Sequence, residues 1–218
     1  MALSTLLQVL ARRRRLRRHE RWSRAELALH QASALAELRR YALTRSPFYR
    51  RIHAGLEGRP LAELPVVTKA DVMDSFDEVV TDRAVRLADV KAYLETPDTG
   101  RLYLDRYQVS ATSGSTGRRG IFLADPEEWL TTIASYARAN AWAGVATGLT
   151  HRVRMAIVSS RVPWHQSARV GVTVESRFVR TLRLDATEPL PAIAAALDEF
   201  QPECLIGYAS MIHVLAGE

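Results

Sequence analysis

The chain is 218 residues long, 47% hydrophobic and 25% charged, with a formal net charge of +6. That is the balance of a folded chain of one large or two small domains, not of a disordered one. No uninterrupted apolar stretch approaches the roughly 18 residues that a membrane-crossing helix requires, and the lone cysteine, Cys204, excludes an internal disulfide and a cysteine-rich zinc site.

A reducing, cytoplasmic setting is therefore expected. The excess charge is local: residues 1–24 carry eight arginines against Glu20, whereas 25–218 carries 22 basic and 23 acidic residues. Arginine outnumbers lysine 28 to 2, which reads as compositional bias more than as selection for phosphate contacts. Residues 1–22 thus form a basic arm. Its apolar start precedes its arginines, the reverse of a secretory signal. Transit peptides and membrane-surface helices share this composition, but the expected state is a solvated, frayed helix leading into the first regular one. With a near-neutral body behind it, neither nucleic-acid binding nor membrane contact by the arm is expected.

Residues 23–100 read as mainly helical. Ser23 with Glu26 forms a capping box, and Leu27, Gln31, Ala34, Leu35, Leu38, Tyr41 and Ala42 follow at helical spacing. Ser46-Pro47 ends that helix. Thr68-Lys69-Ala70-Asp71 opens a second capped helix with Val72, Met73 and Phe76 inward, and a third helix falls around Leu87–Leu94. Residues 101–218 change period. Short strands are expected at Arg101–Leu104, Tyr107–Ala111 and Ile121–Leu123. Asp125-Pro126-Glu127-Glu128 starts a helix presenting Trp129, Ile133, Tyr136 and Ala137. Val153–Ser159, Val170–Val174 and Val179–Leu184 read as strands, Pro189–Phe200 as an amphipathic helix, and Cys204–Ile206 as a strand ending at Gly207. Ser210 is placed to cap a last short helix. The alternation implies an α/β layered architecture.

The most informative stretch is Thr112-Ser113-Gly114-Ser115-Thr116-Gly117-Arg118-Arg119-Gly120. Its glycines allow left-handed backbone and close approach to a ligand. Its hydroxyls donate to anionic oxygens, two arginines follow, and successive N–H groups can form an anion nest. A Walker loop fails because no lysine follows Gly120, and a nucleophile elbow fails because Ser113 stands where its first glycine belongs. A Ser/Gly-rich surface loop without a ligand has the same composition.

Thr112–Gly117 resembles the phosphate-binding signature of the adenylate-forming (AMP-binding) superfamily. Its flanks resemble the phenylacetate–CoA ligase-like and capsular-polysaccharide-biosynthesis-like branch: Tyr41–Tyr49, Leu64–Asp71, Pro163–Arg169 and Gly207–Ser210 lie in family order. The resemblance implies a helical N-terminal segment followed by the layered α/β core of an adenylate-forming enzyme. It also implies a two-step reaction in which a carboxylate attacks MgATP to give an acyl-adenylate, which a thiol such as coenzyme A then captures. Thr112, Ser113, Gly114, Ser115, Thr116, Gly117 and Arg118 would hold the nucleotide's phosphates; the family often has proline at the position of Arg119. His165, Tyr208 and Ser210 would line the substrate pocket, although a packed histidine and tyrosine fit those positions equally. No catalytic residue and no metal ligand is assigned.

The family's adenine-binding turn, ribose-binding aspartate and mobile C-terminal domain have no counterpart in these residues. The expectation is an N-terminal portion, incomplete at its C-terminus and not competent alone, acting on a small-molecule carboxylate and a nucleotide, with a complementary C-terminal chain as a candidate partner. The alternative is a non-catalytic nucleotide- or anion-binding module or remnant.

Overall fold

The arginine-rich arm, expected as a solvated and frayed lead-in, is a regular helix, α1 (Leu3–His19), in the computed structural model, which describes residues 3–96, 100–114, 117–145, 152–174 and 179–217. The reason is a docking face. Val9 is 6% exposed and packs, with Leu16 alongside, against Trp129, Leu130, Ile133 and Ala134 of the helix over 126–142. Arg12 pairs with Glu127, and Trp142 Nε1 donates to Glu20 at 3.0 Å.

Helix α2 (Arg24–Arg45) begins at the expected capping box: Ser23 Oγ accepts from the Glu26 N–H, and the Ser23 N–H donates back to Glu26. It ends before Ser46, which caps α3 (Pro47–Ile52) and donates from Oγ to Glu78 O at 2.9 Å. The residues that recur at helical spacing along α2 stay uncovered. None of its residues is buried, and Leu38 and Tyr41 are exposed. Helical spacing reports which residues share a face, not what covers that face.

After a short 3₁₀ turn, Leu61–Glu63, the second capping box, Thr68 with Asp71, starts α4 (Lys69–Asp74). Then come α5 (Phe76–Val79) and α6 (Leu87–Leu94). Met73, Phe76, Val85, Val90 and Leu94 from this region join Tyr103, Tyr107, Val109, Ala111, Ile121 and Trp164 in one core. This core underlies the conspicuous loop.

The strand expected at Arg101–Leu104 is only a bridge between Tyr103 and Tyr107. Leu104 and Asp105 both take φ of 52°, so the chain reverses too tightly to extend. β1 (Gln108–Ala111) then pairs antiparallel with β2 (Ile121–Ala124), Ala111 opposite Ile121. Asp125 caps α7 (Pro126–Trp142) through the N–H groups of Glu127 and Glu128, with proline at the first position. Its buried face is Trp129, Leu130, Ile133 and Ala134, while Tyr136 is 38% exposed. The face is rotated from the expected one because α1 covers it from one side.

β3 (Val153–Ser159) is followed by α8 (Gln166–Val174), β4 (Val179–Asp185), α9 (Leu190–Phe200), β5 (Cys204–Gly207) and α10 (Ala209–Leu215). The strands form a parallel sheet in the order β4-β3-β5. Val170–Val174, read as a strand from its β-branched residues, lies inside α8. There Val170 packs on the α7 cluster and Gly171 faces the Arg183 guanidinium, so tertiary packing overrides propensity. On the other face of the sheet, Val158 and Leu184 bury Ile193 of α9. Tyr208, not Ser210, occupies the cap position of α10. No helix among the described residues is long and apolar enough to cross a membrane.

Candidate functional site

The loop over 112–120 leaves β1 and returns as β2, so the strand register fixes the separation of its ends. Thr112 closes its mouth. The Thr112 N–H donates to Gly120 O at 2.9 Å, and the Gly120 N–H donates to Thr112 Oγ1 at 2.8 Å. Oγ1 acts there as acceptor and keeps its own proton to donate. Deeper in the loop, the Gly117 N–H donates to Gly114 O at 2.8 Å. Gly114 and Gly117 have φ of +75° and +84°. At Gly114 a Cβ would stand 2.9 Å from Arg119 Cγ, so glycine is required twice over. Ser115 and Thr116, two of the expected phosphate-holding residues, lie outside the described residues.

These bonds divide the loop's donors into two groups. The N–H groups of Thr112, Gly117 and Gly120 are engaged within the loop. Those of Ser113, Gly114, Arg118 and Arg119 meet no protein acceptor among the described residues. The two arginines divide likewise. Arg118, expected at the phosphates, pairs with Asp74 of α4, and its carbonyl accepts from Lys69 Nζ at 2.8 Å. Arg119 is exposed, lies over Gly114 and has no carboxylate partner among the described residues. Lys69 and Asp74 are loop-positioning residues that sequence reasoning did not find. The motif Thr68-Lys69-Ala70-Asp71 read as a helix cap, and only folding carries Lys69 across to Arg118.

Below the loop, Tyr107 donates from its hydroxyl to Asp82 Oδ2 at 2.6 Å. Burial, helped by this carboxylate, pushes the phenol up to about 12. The same bond and the Ala84 N–H hold Asp82 below the usual carboxylate range.

The end of β1 is tied to the connection between β3 and α8: the Ala111 N–H donates to Trp164 O at 2.8 Å. His165 is the next residue and its carbonyl accepts from the Arg169 N–H in the first turn of α8. Tyr208 follows β5, and its hydroxyl accepts from the Ser160 N–H at 3.4 Å. His165 and Tyr208 thus both follow the carboxyl ends of neighbouring parallel strands, where α/β sheets bind ligands. Ser210 is exposed on α10.

The described lining of the best-defined cavity nearby, about 350 Å³, includes none of these three. It runs between α8 and the ends of β3 and β4, past Ser159, Arg161, Ser167, Arg169, Thr173 and Arg183. Burial holds the Arg169 guanidinium below its usual range, and it bonds Gln108 while lying 5.4 Å from the Trp164 ring centre. Arg183 Nη2 is buried without an acceptor among the described residues. Among the described residues no cluster of three or more His, Cys, Asp or Glu could hold a metal ion.

No protein-family model matches this sequence, and no curated protein matches it. Among solved structures, the chain is similar to an open conformation of 2-hydroxyisobutyryl-CoA ligase in complex with 2-HIB-AMP and CoA, with a TM-score of 0.54 at 20% identity. The match covers 84% of this chain and 38% of that one. The chain thus shares the α/β fold of part of that ligase.

Proposed function

We propose that residues 112–120 hold the terminal phosphates of a nucleotide, and that the chain supplies the N-terminal part of an ATP-dependent carboxylate ligase of the acyl-adenylate, thioester-forming type. In that chemistry a carboxylate displaces pyrophosphate from ATP, and the acyl group passes to a thiol such as coenzyme A. One observation carries the reading: a loop closed at its mouth by its own Thr112–Gly120 bonds leaves four amides and the Arg119 guanidinium without protein acceptors among the described residues. Fixed donors of this kind suit a phosphate chain, because they need no reorganisation as charge develops on the leaving group.

The roles divide among residues of this chain. The amides of Ser113 and Gly114, the hydroxyls of Thr112 and Ser113, and the Arg119 side chain bind and orient the phosphates. Ser115 and Thr116 belong to the same set by resemblance. Arg118, Asp74 and Lys69 hold the loop's exit. Mg²⁺ would accompany the nucleotide by the same resemblance. The carboxylate substrate belongs beside the strand ends that carry His165 and Tyr208, with the buried Arg183 Nη2 as an acceptor-seeking group in the adjoining cavity.

A second reading follows from the 38% coverage of the similar ligase: the chain binds nucleotide without turning it over. Calorimetry with ATP and with pyrophosphate, followed by carboxylate-dependent pyrophosphate exchange, separates the two. Binding with exchange supports the ligase reading, and binding without exchange supports the non-catalytic module. Absence of binding by both ligands overturns the assignment of the loop.

A further inference from the structure

Helix α1 presents two sets of arginines. Arg12 and Arg15 share a surface with Glu127 and Glu128 of α7, and Arg12 pairs with Glu127. Arg13, Arg14, Arg17 and Arg18 on another side of the helix, with Arg21 just past its end, line a shallow cleft with Leu10. Among the described residues none of these five pairs with a carboxylate. Their spacing of three and four residues puts them on one stripe, and Leu7 extends that stripe by another turn. Leu7 is 59% and Leu10 45% exposed. The stripe from Leu7 to Arg18 spans about 16 Å at 1.5 Å per residue.

The helix is fixed beneath this stripe. Val9 and Leu16 anchor it to α7, while Arg14, Arg17, Arg18 and Arg21 are exposed and Arg13 is half-buried. A solvated arm would gain nothing by aligning five uncompensated guanidinium groups, since their mutual repulsion disfavours a helix. An anionic surface offsets that repulsion.

We infer that this stripe is a docking surface for an anionic phospholipid bilayer, with Leu7 and Leu10 entering the interfacial layer and the five arginines meeting lipid phosphates and carboxylates. Two exposed leucines in line with the basic residues favour lipid over nucleic acid, because a phosphodiester backbone offers them no apolar environment. A basic cluster combined with apolar anchors is the pairing of signals that stable peripheral attachment needs. This surface stands independently of the phosphate-loop reading.

The test is co-sedimentation of the full chain with vesicles of phosphatidylcholine alone and of phosphatidylcholine containing about one third phosphatidylserine. Binding is expected to the mixed vesicles only, and to weaken as salt is raised. Replacing all five arginines by glutamine, with Arg12 and Val9 kept, is expected to weaken it at least roughly a hundredfold, since each basic residue near such a surface contributes about a fivefold factor. Circular dichroism confirms that the variant keeps its helices. Leu7→Ser with Leu10→Ser is expected to weaken vesicle binding severalfold and to leave binding of duplex DNA unchanged. No binding of the native chain to the mixed vesicles overturns the inference. So does vesicle binding that the leucine changes do not move, which identifies a general polyanion arm.

Discussion

Lys69 Nζ donates a 2.8 Å hydrogen bond to the carbonyl of Arg118, across 49 residues of sequence. The first residue of α4 thereby holds the exit of the candidate phosphate loop, while the Arg118 side chain reaches back to Asp74 at the end of the same helix. The loop is clamped from outside at one end and by Thr112 at the other.

Loss of the clamp is expected to loosen binding more than folding. Lys69→Met removes an exposed ammonium group, so the unfolding free energy is expected to change by about 0.5 kcal/mol or less. Pyrophosphate affinity is expected to fall severalfold. Arg119→Gln is expected to fall further, because it removes charge directed at the ligand itself. Calorimetric titration of both variants, paired with urea unfolding, checks the ordering.

The two left-handed glycines differ in what surrounds them. Gly117→Ala meets no neighbour and is expected to cost about 1 kcal/mol from backbone strain alone. Gly114→Ala adds a contact at 2.9 Å with Arg119 Cγ and is expected to cost about 2 kcal/mol or more. Unfolding free energies of the two variants should fall in that order, and equal costs would show that the Arg119 contact is easily relieved.

The Tyr107–Asp82 bond gives stability a pH signature at both ends. The folded carboxyl of Asp82 lies below its unfolded value, so its contribution is present above about pH 4 and is lost as pH falls through the folded pKa. Tyr107 is pushed up to about 12, so its contribution is complete below about pH 10 and is lost as pH rises through 12. Tyr107→Phe is expected to cost about 1.5–3 kcal/mol near neutrality, the range for a bond to a charged group. It should also flatten the acid limb in urea unfolding measured from pH 3 to 7.

Docking of α1 predicts a contrast between two apolar truncations. Val9→Ala removes two buried methyl groups from the cluster around Trp129 and is expected to cost about 1.5 kcal/mol. Leu29→Ala on α2, where Leu29 is 73% exposed, is expected to change stability by about 0.5 kcal/mol or less. Urea midpoints measure both. Equal costs would show that α1 does not pack as described.

What was legible in the sequence was local. Ser23 with Glu26, Thr68 with Asp71 and Asp125 with Glu128 each announce a helix start because the bonds that make a cap lie within three residues. The glycine-rich loop was visible for the same reason: Gly114 and Gly117 are demanded by backbone conformation inside it. What depended on distant partners was misread. Val170 and Val172 look like strand residues until the α7 cluster and Arg183 fix them on a helix. Asp74 is brought beside Arg118 only by the fold, and Lys69 gives no local sign of its reach.

The sheet order leaves β5 joined to β3 on one side only. Among the described residues its outer margin meets no further strand, and its sequence, Cys204-Leu205-Ile206-Gly207, contains none of the charges or prolines that guard such margins. Bare amides and carbonyls along so apolar a rim form a template on which another extended segment can be laid. The purified chain is therefore expected to show concentration-dependent self-association, and dilution together with a reducing agent for Cys204 should preserve its monodispersity.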